Sequence, residues 1–265
     1  MNAGASPGPE DGLPPGAIMA VRGLGVSFAG RAALSGVDLD VAGNALTVVV
    51  GRSGSGKTTL LRALNRLNEC FDGCRTTGRV LFSLDGHTLD IHDRAFPVTE
   101  LRRRVGMVFQ TPNLLPLSIA ANLTMPLRHV LGMDKAEARE AAREALVAAR
   151  LWDEVKDRLE APAKTLSGGQ AQRLCLARAM ALEPDVLLLD EPAASLDFMA
   201  ARAIEELLSG LRERYALVVV SHGLGSAARM ADHLVVMRRG EVSARFAAGD
   251  LARGEALAQC MEEVF

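Results

Sequence analysis

Unbroken apolar runs recur along the chain and are separated by stretches in which hydrophobic residues return every three or four positions. Runs of the first kind lie at residues 45–50, 185–190 and 216–222, and each is centred on consecutive valines or leucines. Such runs are typical of strands buried on both faces, and their alternation with helices predicts a parallel sheet covered on both sides. A shorter run at 105–109 predicts a further strand, which ends just before Gln110.

Two other segments have different patterns. Residues 17–50 are β-rich and interrupted by glycines, which predicts antiparallel hairpins. Residues 118–160 have a helical pattern, and Asp134 followed by Glu137 predicts the N-cap of a long helix. We therefore predict an α-helical subdomain, over about residues 112–182, inserted between strands of one α/β domain.

A length of 265 residues allows one large domain or two small ones, and we predict a short tail followed by one folded domain over residues 17–265. Half of the 265 residues are hydrophobic, which allows a sizeable core, and the net charge of −2 gives no electrostatic footprint for nucleic acid. Residues 1–16 contain four prolines, four glycines and no lysine or arginine, so we predict a disordered tail and not a signal peptide. Three consecutive arginines at 102–104 predict a solvated face.

The sequence contains no run near the roughly 20 apolar residues that a membrane helix needs. Four cysteines in a chain of this length suggest no disulfide framework. A reduced, cytoplasmic compartment fits this use of cysteine best.

The strand at 45–50 leads into a glycine-rich loop with the spacing G-x-x-x-x-G-K-[ST], and leucines at helical spacing follow the loop. The loop consists of Gly51, Arg52, Ser53, Gly54, Ser55, Gly56, Lys57 and Thr58. Its glycines allow several N–H groups to point at a polyphosphate, and the helix N-terminus adds partial positive charge. Lys57 is expected to reach the β- and γ-phosphates, and Thr58 to offer its hydroxyl to Mg²⁺. A glycine-rich turn that binds nothing is the alternative, which the flanking strand and helix disfavour.

A pair of acidic residues follows the strand at 185–190. Asp190 at the end of a buried strand beside the phosphate loop is placed to hold Mg²⁺ through water. Glu191 could polarise a water for attack on the γ-phosphate. Alone this pattern is weak, because many strands end in acids at the start of a helix.

A third signal is Leu166-Ser-Gly-Gly-Gln170. Ser167 and Gln170 predict a capping box at the start of a helix. A well-capped helix is the simpler interpretation, but two glycines after the cap serve capping poorly. They expose N–H groups at a positive helix end, which suits an anion.

These motifs, with Gln110, Ser195-Leu196-Asp197 and Ser221-His222, occur in the order found in the ATP-binding cassette (ABC) ATPases, which the chain resembles over about residues 17–245. The resemblance implies an α/β, P-loop NTPase (RecA-like) fold. It has a mostly parallel sheet core, an N-terminal antiparallel β subdomain and an inserted α-helical subdomain. In that family two cassettes sandwich two ATPs head to tail, and the signature sequence of one subunit caps the ATP held by the other.

The resemblance also implies a role for each matching residue. Glu191 is the catalytic base, Gln110 senses Mg²⁺ and the attacking water, and His222 contacts the γ-phosphate. The residues implied for Mg²⁺ are Thr58, Gln110 and Asp190. Those implied for ATP are Phe28, Gly51, Arg52, Ser53, Gly54, Ser55, Gly56, Lys57, Thr58, Thr59, Ser167, Gly168, Gly169, Gln170 and Asp197. From its residue type alone Phe28 is equally a core phenylalanine or a ring on which adenine stacks, and the resemblance favours stacking.

Within the family the chain is similar to importer subunits, and most similar to the phosphate-importing group. The similarity lies in Asn65–Asn68, Leu101–Gln110, Leu151–Leu159 and Arg173–Arg178. The departures are Ala171 for a usual glutamine, Ala193-Ala194 for Thr-Ser, and an altered segment at Thr111–Leu117. The first two touch no catalytic role, and the third lies near where the family docks its membrane partner.

The resemblance implies ATP and Mg²⁺ as ligands, a second copy of the chain and integral membrane permease subunits as partners, and a solute-binding protein outside the cell as an indirect partner. It places the chain at the cytoplasmic face of the membrane and implies no nucleic-acid partner. Two other hypotheses remain: a cassette ATPase with a soluble partner, as in DNA repair or translation, and a P-loop kinase or GTPase. ATPases of the former kind commonly carry large insertions or basic arms, and this sequence has neither. The latter hypothesis leaves Leu166–Gln170 unexplained.

Overall fold

Two sheets organise the part of the chain that the structure, a computed structural model, describes, namely residues 12–251. Residues 1–11 of the predicted tail lie outside the described residues. At the end of that predicted tail, the carbonyl of Gly16 accepts a hydrogen bond from the N–H of Gly43 at 2.9 Å.

The first sheet is antiparallel and has four strands in the order β2-β1-β4-β5. Its strands are β1 (Ala17–Phe28), β2 (Arg31–Ala42), β4 (Cys74–Leu84) and β5 (His87–Asp90). Every neighbouring pair in it runs antiparallel, as the glycine-interrupted N-terminal pattern predicts.

The second sheet has six strands in the order β10-β9-β3-β8-β7-β6. They are β3 (Leu46–Val50), β6 (Val105–Val108), β7 (Val186–Asp190), β8 (Ala216–Ser221), β9 (His233–Arg238) and β10 (Glu241–Ala247). Five strands are parallel to their neighbours, and only the edge strand β10 pairs antiparallel, with β9. The predicted mostly parallel sheet is therefore confirmed.

Helices connect and cover these strands. They are α1 (Lys57–Ala63), α2 (Val98–Arg104), α3 (Ile119–Val130), α4 (Lys135–Ala148), α5 (Trp152–Val155), α6 (Gly168–Met180), α7 (Phe198–Leu211), α8 (Leu224–Met230) and α9 (Ala248–Leu251). A capping box between Asp134 and Glu137 opens α4, as predicted. The helices α3 to α6 lie in the segment predicted as a helical subdomain, whose boundaries stay a prediction. Within residues 12–251, none of the helices combines the length and hydrophobicity that a membrane-spanning helix requires.

Two hydrophobic clusters fill the space on the two faces of the mixed sheet. Alternate residues of each central strand belong to different clusters: Leu187 and Leu189 face the cluster with α3, α4 and α6, whereas Leu188 faces the cluster with α1 and the antiparallel sheet. All three leucines are fully buried. Burial on both faces is why these strands appear in the sequence as continuous apolar runs.

The prediction of a solvated face at residues 102–104 is wrong. Arg102 donates to the carbonyls of Asn65 and Arg66, and Arg104 is paired with carboxylates from other elements. The side chain of Arg104 is only 20% exposed. A run of like charges is partly buried here because each guanidinium has hydrogen-bond acceptors: backbone carbonyls for Arg102, Glu100 for Arg103, and Glu100 with two more distant carboxylates for Arg104.

Candidate active site

The candidate site lies at one edge of the mixed sheet. Because β3, β7 and β8 are parallel neighbours, their carboxyl ends meet at that edge. The glycine-rich loop follows β3, Asp190 ends β7 and Glu191 follows it, and His222 follows β8. Gln110 lies two residues beyond the end of β6, the next strand along. Sheet order therefore gathers residues that are far apart in the sequence.

The glycine-rich loop requires glycine at Gly56, the N-cap of α1, where the backbone has φ of 102°. A Cβ there would lie 2.8 Å from Leu34 Cδ2 and 2.9 Å from the carbonyl oxygen of Ala33. Both the left-handed backbone and the close approach of β2 exclude a larger side chain. The first sheet therefore packs directly against the loop and helps to shape it.

Lys57 begins α1 and turns back over the loop. Its Nζ donates to the carbonyl oxygens of Gly51 at 2.8 Å and Arg52 at 3.0 Å, and the residue is only 5% exposed. Burial lowers the pKa of Lys57, while the carboxylates of Glu191 and Asp190 oppose that shift. The ammonium group thus lies at the centre of the loop and close to both acids.

Thr58 and Asp190 form a pair of oxygen donors. The Thr58 hydroxyl donates to Asp190 Oδ1 at 3.0 Å, and Asp190 is 6% exposed. Among the described residues, no cluster of three or more His, Cys, Asp or Glu side chains could hold a metal ion. A hydroxyl and one carboxylate fit Mg²⁺, which usually takes one or two protein carboxylates and completes its shell with phosphate oxygens and water.

Glu191 and His222 lie in direct contact. Glu191 Oε1 is 2.5 Å from His222 Nε2, and the Glu191 side chain is 11% exposed. Glu191 has φ of 48°, a left-handed conformation that non-glycine residues seldom adopt, and its N–H donates to the carbonyl of Val220. Such backbone strain is concentrated at functional sites, where the surrounding structure holds it in place.

These residues line one open, polar cleft of about 700 Å³. The predicted residues that line it are Ser53, Gly54, Ser55, Gly56, Lys57, Thr58, Thr59, Gln110, Glu191 and His222. The Ser55 hydroxyl is buried and has no hydrogen-bond partner among the residues that the structure describes, so the cleft contains an unused polar atom. Asp190 joins this group through Thr58.

Four residues of the cleft were not predicted from the sequence: Ala32, Ala33, Arg239 and Gly240. The N–H of Gly240 donates to the Ser55 carbonyl at 2.9 Å, so the turn between β9 and β10 braces the loop. The Arg-Gly pair signals a turn in the sequence. Its place beside the loop depends on β9 being next to β3, which no local signal indicates.

Phe28 lies at the end of β1, outside the residues that line the cleft. Its ring meets that of Phe71 edge to face, with 6.1 Å between the centroids, and Arg62 lies over the Phe71 ring at 5.2 Å. Phe28 is partly buried, so one aromatic neighbour covers part of it. Adenine stacking on Phe28 stays a prediction.

The sequence around Ser167 forms a second group of predicted residues, which does not line the described cleft. Ser167 caps α6, with the predicted capping box to Gln170. A Cβ added to Gly169 would lie 3.2 Å from Ala200 Cβ, so the glycine allows α6 to approach α7. Asp197 caps α7 by accepting from the N–H groups of Met199 and Ala200, both at 3.0 Å.

A family model described as "ABC transporter" matches residues 34–194. Among curated relatives, "Phosphate import ATP-binding protein PstB 2" of Bacillus subtilis (strain 168) is 42% identical over 225 residues, which are 85% of this chain and 82% of the relative. The protein of the same name from Bacillus licheniformis is 41% identical over 225 residues, 85% of this chain and 80% of the relative.

Solved structures agree with these sequence relatives. The structure of cbiO1 from Clostridium perfringens, described as part of the ABC transporter complex cbiONQ, has a TM-score of 0.77 and 25% identity, and covers 92% of this chain and 93% of that one. A dimeric, post-hydrolysis structure of the ATP-binding cassette MJ0796 bound to ADP and Pi has a TM-score of 0.72 and 29% identity, and covers 87% of this chain and 98% of that one.

Proposed function

The chain belongs to the ABC transporter family of ATPases, and from that membership we propose that it powers the import of inorganic phosphate through a membrane permease. The observation that carries the ATPase part is the cleft in which Lys57, Thr58, Gln110, Glu191 and His222 converge. The phosphate part is supported by the relatives, which are about two-fifths identical to the chain over most of its length and are described as phosphate import proteins.

In this proposal the loop N–H groups and Lys57 bind the β- and γ-phosphates of ATP. Such a preorganised set of donors stabilises charge that develops during phosphoryl transfer. Glu191 accepts the proton of the attacking water, and its contact with His222 at 2.5 Å keeps both side chains at the γ-phosphate end of the cleft. Phe28 supplies the face on which adenine stacks.

Mg²⁺ fits the same cleft. Thr58, Asp190 and Gln110 would hold it, directly or through water, and when bound the ion neutralises charge on the phosphate oxygens. The protein side chains that we assign to it offer oxygen atoms, which are the donors that Mg²⁺ prefers.

We assign a second copy of the chain as the partner that completes the site. Ser167, Gly168, Gly169, Gln170 and Asp197 would then act on the ATP bound by the opposite copy. A relative described as a dimeric cassette supports this arrangement. The permease would hold both copies at the cytoplasmic face of the membrane, and a solute-binding protein outside the cell would deliver phosphate to it.

Deleting the gene and measuring uptake of labelled phosphate at low external phosphate tests the proposal. We expect uptake to fall to background, to recover with the unchanged gene, and to stay low with a Lys57→Ala gene. Normal phosphate uptake together with loss of another solute would reject phosphate and keep the importer. Co-purification with a soluble protein in place of a membrane permease would reject the importer as well.

A further inference from the structure

The signature loop, by which we mean Ser167–Gln170 at the start of α6, is hydrogen-bonded to the short helix α5. The proposed mechanism assigns no role to α5. Helix α5 lies in the predicted helical subdomain and carries Glu154, whose carboxylate contacts both Gln170 and Arg173 of α6. We propose that Glu154 is a positioning residue that fixes the signature loop in the orientation needed to meet ATP on a second copy of the chain. The inference rests on the proposed function, in which that loop acts across a dimer.

Gln170 is the link between Glu154 and the loop. Its Oε1 accepts from the N–H of Ser167 at 3.1 Å, and its own N–H donates to Ser167 Oγ at 3.4 Å. The first bond forms only while the amide oxygen of Gln170 faces Ser167, whereas the second uses the backbone N–H of Gln170. Because Glu154 Oε2 accepts from Gln170 Nε2 at 2.8 Å, the carboxylate holds the amide in that orientation.

Arg173 holds Glu154 in turn. Its Nη1 donates to Glu154 Oε1 at 2.7 Å and to the carbonyl of Arg150 at 2.6 Å, and its side chain is only 17% exposed. The hydrogen bond from Arg173 lowers the pKa of Glu154, so that the carboxylate is ionised at neutral pH. Each carboxylate oxygen therefore has its own donor, and the two donors are three residues apart on α6, so that they lie on the same face of the helix.

Arg158 completes the set by donating from its Nη2 to Gln170 Oε1 at 3.2 Å. The amide oxygen of Gln170 thus faces two donors and its nitrogen faces a carboxylate, an arrangement that a flipped amide could not satisfy. The Glu154 side chain is 41% exposed, and ion pairs exposed to this degree add little to the stability of the fold. The network is therefore expected to affect the orientation of the loop more than the stability of the protein.

The test compares two substitutions of Glu154 with a matched control in the full-length protein. We expect Glu154→Ala to lower the Mg-ATPase rate at limiting protein concentration about tenfold, since an interaction with a charged group is lost at the loop. Glu154→Gln keeps one of the two acceptor oxygens, so its Mg-ATPase rate should lie between those of the wild type and Glu154→Ala. Binding of a fluorescent ATP analogue should stay within about twofold of wild type for both variants, because the cleft of each copy is untouched.

Asp153→Asn is the control, because Asp153 lies on the same helix and is paired only with exposed Lys156 among the contacts described, with its side chain 87% exposed. It should leave the rate unchanged. A double variant that combines Glu154→Ala with Gln170→Ala should lose no more activity than Gln170→Ala alone, because Glu154 acts through the amide of Gln170. Equal rates for Glu154→Ala and the control, or additive losses in the double variant, would overturn the inference.

Two further outcomes keep the test decisive. If circular dichroism shows that Glu154→Ala is unfolded, Glu154→Gln decides alone: a partial loss of rate supports the inference and an unchanged rate rejects it. Ser167→Arg separates this inference from the proposed function. If that variant keeps the wild-type rate, the signature loop does not act across a dimer, and the part of the proposed function in which a second copy completes the site fails. If it loses the rate while Glu154→Ala does not, the positioning role alone fails.

Discussion

Lys57 carries a charge that its surroundings only partly favour. Burial lowers its pKa, the nearby carboxylates of Glu191 and Asp190 oppose that shift, and two loop carbonyls accept hydrogen bonds from its ammonium group. A triphosphate brings far more negative charge to the same place than these groups do. The ammonium group is therefore better suited to a bound nucleotide than to the protein alone.

We predict that Lys57→Ala weakens ATP binding by about 100-fold or more and leaves the fold intact. Loss of charge-assisted hydrogen bonds to two phosphates is typically of that order. Titration with a fluorescent ATP analogue measures the affinity, and circular dichroism reports the fold. Lys156→Ala, which removes an exposed lysine paired with Asp153, is the matched control and should bind normally. Unchanged affinity in a folded Lys57→Ala protein would show that the loop does not bind phosphate.

At the scale of elements, the sequence predicts most reliably what is decided locally. The strands β3, β7 and β8 appear as apolar runs because both of their faces are buried, and the capping box of α6 appears because its partners are three residues apart. The pairing of Arg104 with Asp85 and Asp185 was missed because these carboxylates lie 19 and 81 residues away in the sequence. Arg239 and Gly240 of the cleft were missed for the same reason, since sheet order alone brings their turn to the loop.

The first turn of α6 gives the prediction at this scale. Ser167 is exposed, so an arginine fits there in a single copy without a clash, although loss of the cap costs about 1 kcal/mol. We predict that Ser167→Arg binds ATP normally and no longer dimerises with it, because the bulky side chain obstructs the face that meets the second copy. Light scattering with and without Mg-ATP measures the dimer.

Ser167→Ala is the control for that experiment. It removes the same cap without adding bulk, so any effect of helix fraying appears in both variants. We expect it to retain most of the ATP-dependent dimer. An equal loss of dimer in both variants would assign the effect to the cap, and a full dimer with Ser167→Arg would argue against a signature loop that works in trans.

At the scale of the whole molecule, the described chain presents two sets of residues that it does not bring together. The cleft contains Lys57, Glu191 and His222, whereas Ser167 and Gly169 do not line it, and Gly169 lies beside α7. The proposed function assigns both sets to ATP, and a head-to-tail pair of copies would satisfy both assignments. In that arrangement hydrolysis and separation of the copies would be coupled, because the same nucleotide would hold the pair closed.

We predict that Glu191→Gln traps an ATP-bound dimer. The amide matches the carboxylate in size and can still contact His222, but it cannot take a proton from water. Turnover should therefore fall by about 10²–10⁴-fold, the usual contribution of a general base, while the binding residues stay in place. ATP then binds and the dimer accumulates, which gel filtration with Mg-ATP detects.

Glu206→Gln, which removes an exposed charge paired with Arg202, should hydrolyse ATP normally and give no trapped dimer. If Glu191 served only the helix that follows it, removing its charge would cost about 0.3–1 kcal/mol of stability and leave turnover nearly unchanged. Near-normal hydrolysis without an accumulated dimer would therefore show that Glu191 is not the base.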